Sequence, residues 1–163
     1  MTDPSPRVQA PADRRADPRF AALLLDSYRR LVGVELCPPV WASDSGAARW
    51  LYEEAPFGLL AHDASDDPLF VYANLTAQRC FEYGWDEFVG LPSRLSAEPA
   101  AQEDRDALLH QVAVHHHVTG YQGIRVSKSG RRFWIRDVTM WELIDDDNTF
   151  HGQAAVFHSW PAA

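Results

Sequence analysis

The chain is poor in most features that announce a chemistry. No apolar run approaches the ~20 residues of a membrane helix, and no apolar leader precedes the first periodic segment. Only two cysteines occur, Cys37 and Cys80, without the spacing of a disulfide framework or a metal site. They read as reduced thiols in a cytoplasmic protein. Positive charge is scarce. The 15 Lys and Arg against 23 Asp and Glu leave a net charge of −8, which repels phosphate backbones and argues against nucleic acid as a partner. There is no Gly-x-Ser-x-Gly, no P-loop and no Cys-x-x-Cys, so nothing raises catalysis above its base rate. Asp145-Asp146-Asp147 lacks the spaced ligands of a calcium loop and reads as a solvated turn.

What is present is a core. With 163 residues, 46% hydrophobic content and six Trp, the chain is long and apolar enough for a globular domain. Residues 1–17, rich in Pro, Asp, Arg and Ala, read as a disordered tail, 18–55 as N-terminal helices and 56–163 as the main domain. Asp17-Pro18 predicts a cap and first turn. Phe20, Leu23, Leu24, Tyr28, Leu31 and Val32 follow at helical spacing up to Gly33. Such a stripe fits packing on its own domain or a homodimer and protein-partner surface through Phe20, Leu24, Tyr28 and Leu31. After Cys37-Pro38-Pro39, Ser43 or Asp44 can cap a second helix that ends before Pro56.

The remainder reads as strands at Phe57–His62 and Phe70–Ala73, then a short helix Leu75–Phe81 capped by Asn74 and ended by Gly84. Another helical turn is expected at Asp86–Val89, and a longer helix from about Ala101 to Val118 with Leu108, Leu109 and Val112 on one face. Three strands close the chain, Tyr121–Lys128, Arg132–Leu143 and Gln153–Trp160. Paired strands at both ends with helices between them imply an α+β fold, a five-stranded antiparallel sheet with helices on one face. Such a sheet and its helical flap form a hydrophobic cup.

Two passages carry a resemblance. The run FVYANLTAQRCFEYGWDEFVGLP, the hairpin KSGRRFWI and the closing GQAAVFHSW resemble the PAS superfamily. More narrowly, WDEFVGLPSRLSAEP, GIRVSKSGRRFWIRDVTMW and GQAAVF are similar to the MEKHLA family, over roughly residues 19–160. The resemblance implies a PAS-like sensory or protein-interaction domain. It would bind a small ligand in the cup and signal through association. A ligand-free dimerisation module is the alternative, and a small enzyme of unknown reaction a third. With LOV photosensors, Asn74, Tyr83, Glu87, Gly90, Arg94 and Leu95 stand in register. The photoactive cysteine's position is Ser93, whose hydroxyl cannot form the flavin adduct. The positions that hold the flavin ring edge fall on Arg125, Ile135 and Ala154, with Gln153 beside the last. Ile135 and Ala154 offer no side-chain hydrogen bond to an isoalloxazine edge, which argues against flavin.

The expected ligand-facing set is therefore Asn74, Ser93, Arg94, Arg125, Ile135, Asp137 and Ala154. Arg125 depends on hairpin register. A three-residue loop, Ser129-Gly130-Arg131, sets it opposite Ile135 and into the cup, with Asp137 on the same face; a two-residue loop turns it to solvent. Inward, it could fork onto an acidic ligand, pair with Asp137 or lie over a Trp. Trp85, Trp134, Trp141 and Trp160 could stack on a planar ligand, with core packing as the default. His115-His116-His117 cannot share one ion on a helix, where successive residues point about 100° apart. His110 or one of these three could hold haem, but nothing else marks such a site, and no metal or cofactor is assigned.

Overall fold

Among the described residues, Asp17 starts the first helix by accepting from Arg19 N through its side chain, with Pro18 at the first helical position. The computed structural model describes residues 13–39 and 44–163; residues 1–12 of the expected tail, and Ser43 of the expected second cap, lie outside them. Helix α1 (Pro18–Val32) closes at Gly33, whose left-handed φ of 88° lets its N–H reach Arg29 O. Helix α2 (Asp44–Arg49) runs into a π turn at Trp50–Glu54. Then come β1 (Gly58–His62), β2 (Phe70–Ala73), α3 (Leu75–Phe81), α4 (Trp85–Phe88), α5 (Gln102–His115), β3 (His117–Val126), β4 (Arg132–Ile144) and β5 (Phe150–Phe157).

The sheet is antiparallel throughout, in the order β2-β1-β5-β4-β3. Strand alternation divides it into two faces. Leu59, Ala61, Trp141, Leu143, Ala154 and Val156 meet α1 and α2. Leu60, Phe133, Ile135, Val138 and Phe157 meet α3 and α4, and Met140 meets α5. Phe133, Ile135, Val138 and Met140 could not share a face on a regular strand. A bulge reconciles them: Gly123 pairs with Ile135 and Tyr121 with Val138, so β4 spends one extra residue between the pairs. Asp137 occupies that bulge with φ 51° and is exposed.

The helix boundaries differ from expectation where polar residues adopt left-handed backbone. Glu82, at φ 61°, ends α3, and Gly84 instead caps α4. His116, at φ 69°, ends α5 early, so His117 and Val118 begin β3. β5 starts at Phe150, ahead of Gln153, and after Phe157 the chain continues only as isolated pairings with β4.

Helix α1 lies on the face of the sheet opposite α5. Tyr28 packs edge-on against Trp141 at 4.8 Å, and Trp141 Nε1 donates to Ser27 Oγ at 3.0 Å. Leu24 and Tyr28 are 1% and 6% exposed. The expected partner stripe is thus corrected: these two side chains serve the chain's own core, and only Phe20 and Leu31 stay half-buried.

Candidate functional site

The cup is built by alternation on the strands of the sheet, with Phe70 of β2 and Phe81 of α3 in its lining and one face of α5 across it. On β1, Leu60 and His62 point into it; on β5, directly paired with His62, Gln153 does. On β4 the residues are Ile135, Val138 and Met140, and on β3 Arg125. Helix α5 closes it with Arg105, Leu108 and Leu109, and the turn Ser93–Ser96 supplies two hydroxyls. Together they line a cavity of about 60 Å³. Its polar groups are His62, Ser93, Ser96, Arg105, Arg125 and Gln153, each 8% exposed or less.

Arg105 and Arg125 dominate its electrostatics. Arg105 donates through Nη2 to Ser93 Oγ and lies 3.5 Å from Asp106, a carboxylate that is itself mostly in solvent. Burial, and then the charge of Arg125, pull Arg105 below the ordinary guanidinium value, with Asp106 and Asp67 opposing. Arg125 folds back over the strand, donating to Ile124 O at 2.9 Å and to Tyr121 Oη at 3.4 Å, with its guanidinium 5.7 Å from the Tyr121 ring centre. Gly123 leaves the room for this: a Cβ there would stand 3.0 Å from Arg125 Nη1 and 2.3 Å from Tyr121 Oη. Tyr121 in turn donates to Asp104 of α5 at 2.5 Å, tying the helix to the strand beneath it.

Two acceptors are orphaned. His62 Nδ1 lies 3.0 Å from the carbonyl of Asp63, a contact that selects the Nδ1–H tautomer and makes Nε2 an acceptor. Among the described residues, neither His62 Nε2 nor Gln153 Oε1 has a hydrogen bond of good geometry, and the side chain near enough to bond the ring is Gln153 itself. Burial, helped by the Arg105 charge, holds the His62 imidazole below its usual range against the Asp63 carbonyl, the Asp63 charge and the Gln153 side chain. Buried polar atoms without partners are rare, and each calls for an explanation.

The structure sorts the expected ligand set plainly. It brings together Ser93, Arg125 and Ile135. Arg125 does face the cup, although the three-residue loop is Lys128-Ser129-Gly130: Ser127 N donates to Arg131 O, and Arg125 pairs with Phe133. The shift is by two residues in pairing sum, so inward and outward faces are preserved. Four residues lie elsewhere. Asn74 is fully buried between helix and strand, outside the cavity lining. Arg94 is exposed and pairs with Asp67 at 3.2 Å. Asp137 is turned outward by the bulge and does not pair with Arg125. Ala154 points to the α1 face, because alternation hands the cup to Gln153 and Ala155.

Sequence reasoning missed Arg105 and His62 and passed over Gln153. Each carries the same signal, a polar residue at an apolar period. Arg105 precedes Leu108 and Val112 at i, i+3 and i+7, and these three are the buried face of α5. His62 and Gln153 share their strands' inward parity with Leu60 and Ala155.

The other marked residues do not reach the cup. None of Trp85, Trp134, Trp141 and Trp160 lines it. Cys80 is buried beside the core, with its thiol pushed up to about 11 by burial. His110, His115 and His116 face solvent, and His116 pairs with Glu142 at 2.7 Å. Among the described residues no three His, Cys, Asp or Glu side chains converge on one point, and no helix is long and apolar enough to cross a membrane.

The family model of the MEKHLA domain matches residues 18–162. No curated protein matches. Among solved structures, the PAS domain of a protein from Colwellia psychrerythraea is similar at 14% identity and TM-score 0.55, covering 66% of this chain and 86% of that one. A light-oxygen-voltage domain studied with a flavin analogue is similar at 16% identity and TM-score 0.54, covering 66% and 77%. An RNA-binding light-oxygen-voltage receptor gives 16% identity and TM-score 0.59, covering 78% of this chain but 35% of that receptor. At these identities the likeness shows a PAS fold.

Proposed function

The chain belongs to the MEKHLA domain family, with a PAS-type fold that supports a sensory or interaction role, and from that premise we propose that it is a ligand-responsive sensory module. The occupant sits in the cup between sheet and α5. The observation that carries this reading is the pair of orphaned acceptors, His62 Nε2 and Gln153 Oε1, facing one small cavity. A core closed for packing alone would not bury two guanidiniums and two acceptors that have no partner but each other on one cavity, since each unmade buried bond costs about 1–3 kcal/mol. A ligand with a donor removes that deficit and favours the closed position of α5.

Signal leaves through association with a partner or a second copy. Of the expected stripe, only the outer edges of Phe20 and Leu31, which also pack on the chain's own core, are left for it. At about 60 Å³ the cavity suits a few-atom ligand and not an isoalloxazine ring or haem. RNA binding belongs to the receptor of that name; this chain's net charge of −8 disfavours it here. The two free thiols suit a reducing cytoplasm. No reaction is assigned, because among the described residues no activated nucleophile stands beside His62 in the cavity.

Hydrogen exchange tests the reading. The protein as purified is compared with protein unfolded, dialysed and refolded. Loss of a bound molecule speeds exchange in α5 and Ser93–Ser96 and leaves the β1–β5 ladder unchanged. Identical exchange before and after, from a chain that carries no small molecule, contradicts it.

A further inference from the structure

Resting on that reading of the same cup, we propose that the occupant is a short hydroxycarboxylate. Its carboxylate sits on Arg105 and Arg125, and its hydroxyl donates to His62 Nε2 or Gln153 Oε1. Four features of the cavity point the same way.

The first is charge. Two guanidiniums, 8% and 6% exposed, face one cavity whose lining, among the described residues, contains no carboxylate. Like charges in a shared low-dielectric space repel, and burial of each is unfavourable without an anion. A carboxylate is the planar partner a guanidinium fork fits. The second is the acceptor pair. A ligand of oxygens without hydrogens would satisfy the arginines and leave His62 Nε2 and Gln153 Oε1 no partner but each other. A neighbouring hydroxyl supplies the missing donor.

The third is size. The cavity of about 60 Å³ holds about four waters, or an organic ion of roughly four to six heavy atoms. The fourth is the rest of the wall, which is hydrocarbon: Leu60, Leu108, Ile135 and Met140 among others. Phosphate or sulfate would turn charged oxygens onto that wall, whereas a short acid turns a methyl or methylene.

The placement of the arginines also gives the ligand a grip on α5. Arg105 is on the helix and Arg125 on β3, and Tyr121, which accepts from Arg125, donates to Asp104 one residue before Arg105. An anion bridging the guanidiniums therefore draws helix and sheet together.

Calorimetric titration of the whole chain, after dialysis and at fixed ionic strength, tests the proposal with glycolate, lactate, acetate, propionate, lactamide and inorganic phosphate. Glycolate or lactate is expected to bind saturably. Acetate and propionate, lacking the hydroxyl, should bind about 10-fold more weakly, and lactamide, lacking the charge, not measurably. Arg105→Met and Arg125→Met should each weaken hydroxy-acid binding at least about 30-fold while circular dichroism shows a cooperative melt. Arg105→Lys, which keeps charge without the fork, is expected to fall between. Gln153→Met should narrow the gap between lactate and propionate without weakening propionate, a change that loss of packing alone does not produce. Lactamide equal to lactate overturns the anion inference and leaves the sensory reading standing. Phosphate binding with no hydroxy acid binding overturns the carboxylate assignment. No saturable heat from any acid up to about 10 mM overturns the proposal, and if the chain also carries no molecule from cells, the sensory reading falls with it.

Discussion

Replacing Asn74 with alanine should destabilise the domain far more than loss of a helix cap. Asn74 is fully buried and uses its whole amide. Its Oδ1 accepts from Ala77 N, the capping bond, and from Leu59 N of β1, each at 3.0 Å. Its Nδ2 donates to Leu51 O at 3.0 Å and Phe57 O at 2.9 Å, on the segment that leads from α2 into β1. One side chain thus ties α3, β1 and that segment. A cap alone is worth about 1 kcal/mol. Alanine here strands two N–H and two C=O groups, and at about 1–3 kcal/mol for each unpaired buried group a total near 4 kcal/mol is expected, allowing for partial relaxation. For a domain of this size that lowers Tm by roughly 8–16 °C. Asn74→Asp keeps both acceptor bonds but sets a carboxylate against two carbonyls, so it should fall no less. Urea titration followed by tryptophan fluorescence and circular dichroism measures both. A loss below about 1.5 kcal/mol for Asn74→Ala would refute the argument and return Asn74 to the rank of an ordinary cap.

Three further outcomes are expected. Because burial lowers the His62 pKa, the unfolded chain takes up a proton near pH 6.5 that the folded chain refuses, so stability falls as pH drops below about 6.5; the groups acting on the ring are Arg105, Gln153 and both the carbonyl and the carboxylate of Asp63. Melting temperatures at pH 7.5 and 5.5 should differ more in the natural chain than in His62→Asn, and equal slopes would count against it. Glu82 accepts from Ser127 Oγ, Ser129 N and Ser129 Oγ, which brings its carboxyl down to about 2. Its contribution is present above the unfolded carboxylate range and is lost as pH falls towards 2. Glu82→Gln should speed amide exchange at Ser129, and an unchanged rate would remove the hairpin clamp from the account. Gly152 sits at φ 133°, where a Cβ would stand 2.0 Å from the His62 carbonyl. Gly152→Ala should therefore cost at least about 2 kcal/mol in urea titration, and a neutral effect would show that β5 need not approach β1 so closely.

Local grammar was legible in the sequence because local forces set it. The Asp17 cap, the Asn74 cap and the span Leu75–Phe81 depend on neighbours within a few residues. The inward face of Arg125 was legible from parity, which a two-residue shift of the hairpin leaves intact. Asp137 was not, because a bulge is an insertion that periodicity does not announce. Nor were the ends of α3 and α5, where Glu82 and His116 take a left-handed backbone usually given to Gly or Asn. Half of the cup was misplaced for a different reason. Correspondence with the flavin positions put Ala154 in the pocket, whereas the pairing of β1 with β5 puts Gln153 there, opposite His62. Arg105 belongs to a helix whose apolar face was read from leucines and valine alone, although its arginine continues the same stripe.

The claim on which all of this converges is that the cup holds a small molecule. Native mass spectrometry of the chain, purified from cells without denaturation and again after incubation with a small-molecule extract of those cells, tests it most directly. The account predicts a species heavier than the bare chain by a small acid, lost on denaturation and reduced in Arg105→Met. Bare chain mass in both samples would contradict it.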